Sequence, residues 1–118
     1  MVYKEPRPKV VPGSTTRVRL TCGNLYVAVT HKDHKIFEVF AWLGKSGGCA
    51  MASLAALTVS ITMGLRYEVP AQVFIDKLKG IKCQEVSWDE YVEYTSCADA
   101  IAKVMEKTQG ELGCNEQA

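Results

Sequence analysis

The sequence predicts an α+β fold, in which a three-stranded antiparallel meander is followed by three or four helices packed on one face of the sheet. Two observations lead to this prediction. The first third of the chain contains three strand-like runs with short connections, and sequential strands joined in this way pair as neighbours. The rest of the chain carries apolar residues at helical spacing, separated by proline, glycine and capping signals.

Three runs have the composition of strands: residues 15–22, 25–30 and 36–43. In the first two, apolar and polar residues alternate, which is typical of a strand with one buried face. The third run, IFEVFAWL, is rich in aromatic and β-branched residues. Gly23-Asn24 suits a two-residue turn, and the polar residues 31–35 form the second connection.

The helical part begins with residues 49–65, which carry no charge. The serines and threonines in this segment lower its hydropathy, so we interpret it as a central helix buried on most sides rather than a membrane span. Capping signals predict the remaining elements: a helix from Pro70 to Gly80, a short turn or helix at Ser87–Glu90, and a final helix from Ser96 to Gly110.

A chain of 118 residues is expected to form one domain, which we place at residues 14–108. Residues 1–13 contain three of the four prolines and predict an extended arm, either a loose tail or a segment laid on a partner subunit. Residues 109–118 predict a polar tail.

The composition restricts the classes of partner. With 14 basic and 13 acidic residues, the net charge of +1 gives no electrostatic case for nucleic acid or an anionic membrane, although a local basic patch is not excluded. Five cysteines without a visible export signal indicate a reducing, cytoplasmic compartment. Cysteines in such a compartment serve more often in cores, metal sites or reactive sites than in disulfides.

A glycine-rich turn precedes the central helix. It resembles the end of a phosphate-binding loop, but Val39 stands where that motif requires its first glycine. A weaker anion site remains, because backbone N–H groups at a helix start attract phosphate or carboxylate. The alternative is a tight structural turn. The predicted ligand-binding residues are Lys45, Ser46, Gly47 and Gly48, with the arginines Arg17 and Arg19.

Four cysteines lie at predicted element ends: Cys22, Cys49, Cys83 and Cys97. No pair has the short CxxC spacing of a zinc ribbon, so spacing alone leaves open a Cys₄ metal site and four small buried hydrophobic residues. No catalytic motif of the HExxH or GxSxG type is present, which favours a non-enzymatic role.

Five motifs of the chain resemble the TSCPD domain: TCGNLYV at 21–27, FEVF at 37–40, LGKSGGC at 43–49, LKGIKC at 78–83 and TSCADAI at 95–101. The resemblance covers residues 7–106. Domains of this family form C-terminal appendages of cobalamin-dependent ribonucleotide reductases and also small free-standing proteins. The resemblance implies that Cys22, Cys49, Cys83 and Cys97 are the family's cysteines and that they bind zinc.

Two departures from the family pattern stand out. Ala98 replaces the proline of the family's last motif, which the capping residues Ser96 and Asp99 should make tolerable. Reductases of the family often carry a redox-active cysteine pair near the C-terminus, whereas this tail has Cys114 alone.

These observations lead to one main functional hypothesis and two alternatives. The main hypothesis is a non-enzymatic, zinc-stabilised binding module related to nucleotide metabolism, with a ribonucleotide reductase as a candidate partner. The alternatives are a nucleotide- or anion-binding protein that uses Gly44–Gly48, and a thiol redox module with low-pKa cysteines at helix starts. We also expect a homo-oligomer, because a second subunit would cover the apolar central helix.

Overall fold

The structure is a computed structural model that describes residues 3–44 and 48–117, the last four of them by backbone only. The elements in chain order are β1 (Gly13–Leu20), β2 (Gly23–Lys32), β3 (Lys35–Leu43), α1 (Gly48–Arg66), α2 (Ala71–Leu78), β4 (Ser87–Asp89), β5 (Val92–Tyr94) and α3 (Cys97–Gln117). Strands β1, β2 and β3 form an antiparallel sheet in that order, so the predicted α+β class and its meander are confirmed.

The alternation of apolar residues along the strands gives the sheet one buried face. Val18, Leu25 and Val27 point to this face and are almost fully buried. Helix α3 covers it with Ile101 and Met105, both without solvent exposure. Helix α2 packs against α3, and the main core therefore lies between the sheet and the helices.

The first hairpin turn of the sheet is shifted from its predicted position, and the second is shorter than predicted. Leu20 pairs with Gly23, so the first turn is Thr21–Cys22 rather than Gly23-Asn24. This register places Cys22 at the tip of the turn, not at the end of a strand. The second turn shrinks to Asp33 and His34, whose φ angles of 53° and 63° suit a turn of the I′ type.

Helix α1 lies along the outer edge of β3. The hydroxyl of Thr62 donates to the carbonyl oxygen of Val39 at 2.9 Å and accepts from the N–H of Val39 at 3.0 Å. Because the helix packs mainly against this one strand, its buried residues form a single stripe: Leu54, Thr58, Ile61, Thr62 and Leu65. The prediction that the helix is buried on most sides is therefore wrong.

By length and composition alone, α1 would be able to cross a membrane. Its most apolar window has a mean hydropathy of 1.7, and 28% of that window is buried within the fold. A core helix of a soluble protein passes the same test, and the Thr62 contacts with β3 assign α1 a place beside the sheet.

Residues 87–90 form part of a hairpin with its turn at the end of this segment, so the helix alternative of the prediction is wrong. Strands β4 and β5 pair through a turn at Glu90 and Tyr91, which have φ angles of 49° and 68°. The capping-box side chains serve a neighbouring strand instead of a helix. Ser87 Oγ accepts from the N–H of Thr21 at 2.7 Å, and Asp89 accepts from the N–H of Arg19 at 2.8 Å.

Helix α3 begins where the capping pattern predicts, since Ser96 Oγ accepts from the N–H of Asp99 at 3.0 Å. It continues through Gly110 to Gln117, so the predicted end at Gly110 is wrong. Leu112 lies beyond this glycine and is buried in the core, which anchors the continuation of the helix.

The N-terminal arm, residues 3–12, packs on its own chain. The N–H of Glu5 donates to the carbonyl oxygen of Arg66 at 2.7 Å, and Arg66 donates back to the carbonyl oxygen of Glu5. Arg7 pairs with Glu38 of β3 at 2.8 Å. These contacts connect the arm to α1 and to the sheet.

Candidate thiol site

Three cysteines from distant parts of the sequence surround one small cavity. Cys22 comes from the β1–β2 turn, Cys83 from the segment between α2 and β4, and Cys97 from the start of α3. The cavity has a volume of about 290 Å³. Its other lining residues are Leu20, Thr21, Gln84, Glu85, Ser87, Tyr94 and Ser96, none of which is basic.

Hydrogen bonds to the backbone hold the Cys83 segment beside α3. The N–H of Cys83 donates to the carbonyl oxygen of Thr95 at 2.8 Å, and Thr95 Oγ1 donates to the carbonyl oxygen of Ile81 at 2.8 Å. The Cys83 thiol donates to the carbonyl oxygen of Glu85 at 3.2 Å. The segment thus lies beside Thr95, two residues before the start of α3.

The side chain of Asp99 connects the chain segments beside the cavity. This side chain is fully buried and accepts from the N–H of Gly80 at 2.8 Å, from the N–H of Thr95 at 3.0 Å and from Lys103 at 2.8 Å. One carboxylate thereby joins the end of α2, the entry to α3 and the α3 helix itself. The sequence identified Asp99 only as a capping residue, and its bond to Gly80 has no local sequence signal.

The thiols of Cys22 and Cys83 are neighbours of the Cys97 thiol in this cavity. Burial, followed by the neighbouring thiols of Cys22 and Cys83, raises the pKa of Cys97 to about 11. This raised pKa does not favour a readily ionised thiol at this helix start. Desolvation and adjacent sulfur atoms outweigh the helix dipole here.

Cys49 does not line the cavity. It is exposed in the first turn of α1, which starts from the sheet end where β3 finishes and where the Cys22 turn also lies. All four cysteines predicted as ligands therefore lie toward one end of the molecule, and the structure brings three of them around one cavity.

The donor chemistry of the cavity fits zinc, although the described side chains do not form a closed site. Thiols are preferred zinc ligands, and the described residues of the cavity lining include no basic side chain. Within the described part of the chain, no three cysteine, histidine or carboxylate side chains are arranged to hold a metal ion. Closing the site would require the cysteine side chains to rearrange around the metal; the Cys83 segment has no regular secondary structure, although the N–H of Cys83 is bonded to Thr95.

The predicted anion site is described only in part. Lys45, Ser46 and Gly47 lie outside the described residues. Gly48 is the first residue of α1, with a φ of 65° that favours glycine. Arg17 and Arg19 project from β1 on the sheet face opposite the helices, and Arg19 shares a cross-strand row with Asn24, whose carbonyl oxygen accepts from the N–H of Gly44 at 3.0 Å.

A larger cavity of about 620 Å³ lies at the opposite end of the sheet. Its lining mixes charges of both signs, and Lys32 pairs there with Glu5 at 2.6 Å. His34 is part of this lining, so the second hairpin turn lies away from the thiols. Because the described lining of this cavity holds no cysteine and has three acidic residues against two lysines, its residues indicate no specific chemistry.

Comparisons with known proteins agree with the motif pattern. The family model of the TSCPD domain matches residues 1–109. A vitamin B12-dependent ribonucleotide reductase of Streptantibioticus cattleyicolor is 28% identical over 76 residues, which cover 64% of this chain and 13% of that protein. The same enzyme of Streptomyces clavuligerus gives the same identity over 8% of its length. The chain therefore corresponds to a small part of these relatives, and no solved structure matches it.

Proposed function

Because this chain belongs to the TSCPD domain family, we propose that it is a non-enzymatic, zinc-stabilised binding module that works in association with a ribonucleotide reductase. The observation that supports this proposal most directly is the convergence of Cys22, Cys83 and Cys97 on one cavity. Zinc there would use the three thiolates to join the β1–β2 turn, the segment before β4 and the start of α3. Cys49 is the candidate fourth ligand.

Metal analysis tests the zinc site. Protein purified without added zinc should carry about one equivalent, and Cys22→Ser, Cys83→Ser and Cys97→Ser should each lose most of it. Cys49→Ser decides whether the fourth ligand is this thiol. Cys114→Ser is the matched control, since it removes a thiol outside the proposed set. A zinc content below about 0.3 equivalents in the wild type would contradict the proposal.

The proposed partner follows from the relatives, which are named as vitamin B12-dependent ribonucleotide reductases. Co-purification of the tagged chain with a reductase of the same cell, followed by sedimentation of the mixture, tests the association. A mixture in which the two proteins sediment independently at micromolar concentration would contradict it. Zinc-binding results and sedimentation results can fail separately, so each half of the proposal is tested alone.

The nucleotide- or anion-binding alternative rests on Gly48 at the start of α1 and on Arg19, which lies toward the same end of the sheet as Gly44. Calorimetry with a panel of nucleotides, with Lys45→Ala for comparison, tests it. The absence of binding at millimolar concentration would remove this alternative.

The thiol redox alternative requires an ionised cysteine at neutral pH, which the raised pKa of Cys97 does not favour. A thiol titration at neutral pH tests it, because uniformly slow thiols would exclude such a role. We propose a reducing, cytoplasmic location for the protein. There the cysteines would stay reduced and would not form disulfides, whether or not they bind zinc.

A further inference from the structure

Among the residues that the structure describes, no helix covers the second face of the sheet. We call it the open face and define it by Arg17, Arg19, Tyr26, Phe40 and Trp42, which alternate with the core residues of their strands. The sequence shows this pattern in IFEVFAWL, where Phe40 and Trp42 are out of phase with Val39, Ala41 and Leu43. From the sequence alone, these aromatic residues indicate only a strand.

Aromatic rings are presented to solvent on the open face. Tyr26 and Trp42 stand opposite each other across β2 and β3 and stack, with ring centroids 5.8 Å apart and an interplanar angle of 13°. Trp42 remains 37% exposed and Phe40 39% exposed. A stacked pair fixed by the strand register presents its free surface without further ordering, which lowers the entropic cost of binding another ring.

The charge on this face is positive. Arg17 and Arg19 have no ion-pair partner among the described residues. The acidic side chain of this face, Glu38, is 3% exposed because it pairs with Arg7 of the arm and accepts from Thr30. Asp89, at the β1 edge, accepts from the backbone N–H of Arg19. The near-neutral chain therefore has a local cationic, aromatic face.

We propose that the open face binds single-stranded nucleic acid. Exposed aromatic rings on a sheet stack unpaired bases, and arginines beside them contact the phosphate backbone. Neither of the two cavities described above includes the open face, and a flat surface favours a polymer with several weak contacts over a single nucleotide. Three strands are about 10 Å wide, enough for roughly two or three nucleotides.

A second copy of the chain fits this face less well. In a two-fold arrangement whose axis runs across the strands, Arg17 and Arg19 of one copy would approach the same arginines of the other, and like charges oppose that arrangement. A duplex fits less well too, because its bases are already stacked and cannot lie on Phe40 or Trp42.

Fluorescence anisotropy with a labelled oligonucleotide of about 15 bases, single-stranded or annealed, tests the proposal at about 50 mM salt. Binding of the single strand should be micromolar and should weaken as salt increases. The Arg17→Glu/Arg19→Glu variant should weaken it by at least about tenfold, and Phe40→Ala by about five- to a hundredfold. Lys77→Glu/Lys107→Glu is the matched control, with the same change in net charge at exposed sites on α2 and α3.

A second readout follows Trp42 directly. In a Trp88→Phe background Trp42 is the remaining tryptophan of the chain, and its fluorescence should be quenched by the single strand. The proposal is overturned by absence of binding at about 100 μM protein, by equal loss in the lysine control, or by preference for the duplex. A dimer that Phe40→Ala dissociates would also overturn it, because the open face would then belong to a second copy.

Discussion

Asp99 has more structural connections than any other acidic side chain described above. It is fully buried, yet its carboxylate accepts two backbone N–H bonds and an ion pair from Lys103. These partners replace the water that the carboxylate loses on burial. Since the bonded groups flank Cys83 and Cys97, the geometry of the thiol site depends on a residue that does not line it.

Replacing this carboxylate should therefore be costly. Asp99→Asn keeps the shape but turns an amide NH₂ toward donors, and we expect a loss of about 2–4 kcal/mol in the free energy of unfolding. Chemical denaturation monitored by circular dichroism measures it. Glu106→Gln is the control, because it removes the exposed partner of Lys79 and should be nearly neutral. Equal stability of Asp99→Asn and the wild type would contradict the assigned role.

The same residue predicts an acid sensitivity. Burial by itself would raise the pKa of Asp99, but the bonds from Lys103, Thr95 and Gly80 outweigh it and hold this pKa below its ordinary value. The folded state thus binds the proton less readily than the unfolded chain. The resulting stability is present above about pH 4 and is lost as the pH falls through the lowered pKa. Denaturation midpoints measured across this range should fall less steeply for Asp99→Asn.

Two helical glycines differ in the space around them. A Cβ atom at Gly64 would lie 2.4 Å from the Phe74 ring, whereas at Gly110 it would meet nothing within 4 Å. Gly64→Ala should therefore destabilise by about 1–3 kcal/mol, and Gly110→Ala should stabilise by about 0.5–1 kcal/mol through helix propensity. Thermal unfolding of the pair measures both. A destabilised Gly110→Ala would contradict the continuation of α3 through this residue.

At the scale of elements, side chains rather than further strands form hydrogen bonds with backbone groups at both edges of the sheet. On the β3 side, Thr62 bonds both backbone groups of Val39, and the N–H of Leu43 donates to Met51 Sδ at 3.2 Å. On the β1 side, Ser87 and Asp89 accept from two backbone N–H groups. Both edges are thereby less available for pairing with another chain.

Thr62→Val tests the contact on the β3 edge. Valine has nearly the same shape but no hydroxyl, so the buried N–H and carbonyl oxygen of Val39 would lose their partner. We expect a loss of about 2–4 kcal/mol in the free energy of unfolding, together with faster hydrogen exchange of the Val39 amide. Ser60→Ala is the control, because this exposed hydroxyl bonds only its own helix at Ala56. A change confined to Ser60→Ala would be incompatible with this account.

The sequence predicts elements well where local periodicity is long and poorly where distant contacts decide. Alternation in the three long strands and capping at Ser96 suffice for the sheet and for the start of α3. The hairpin at residues 87–94 has no clear sequence signal, because strands of three residues have almost no periodicity. Ser87 resembles a helix N-cap, but its hydroxyl accepts from the N–H of Thr21 at the end of β1. Gly110 resembles a helix end in the sequence, but the helix continues because Leu112 beyond it is buried in the core.

At the scale of the whole molecule, the thiol cavity depends on chain topology. The approach of Cys22, Cys83 and Cys97 needs the β1–β2 turn, the end of α2 and the start of α3 to meet, and no spacing rule encodes this meeting. The resemblance to the family supplied the cysteine set, and the structure adds which three members share a cavity. The open face was missed for the opposite reason, since its strand pattern was recognised but its lack of a cover requires the helices to be placed.

A zinc ion at the thiol cavity would act on the stability of the whole fold, because the three cysteine segments are far apart in sequence and belong to different elements. Metal at about a thousand times its dissociation constant stabilises a folded protein by about 4 kcal/mol. For a domain of this size, we therefore expect chelation to lower Tm by about 10–20 °C.

The chelated protein should nevertheless unfold cooperatively, since the apolar core between the sheet and α3 forms without the thiols. Differential scanning calorimetry with and without chelator measures the shift, and Cys97→Ser should show none. If the chelator left the Tm of the zinc-loaded wild type unchanged, the metal would not be connecting these elements. A chain that lost its cooperative transition on chelation would mean that the core between the sheet and α3 is insufficient, as in small zinc fingers, which are unfolded without metal.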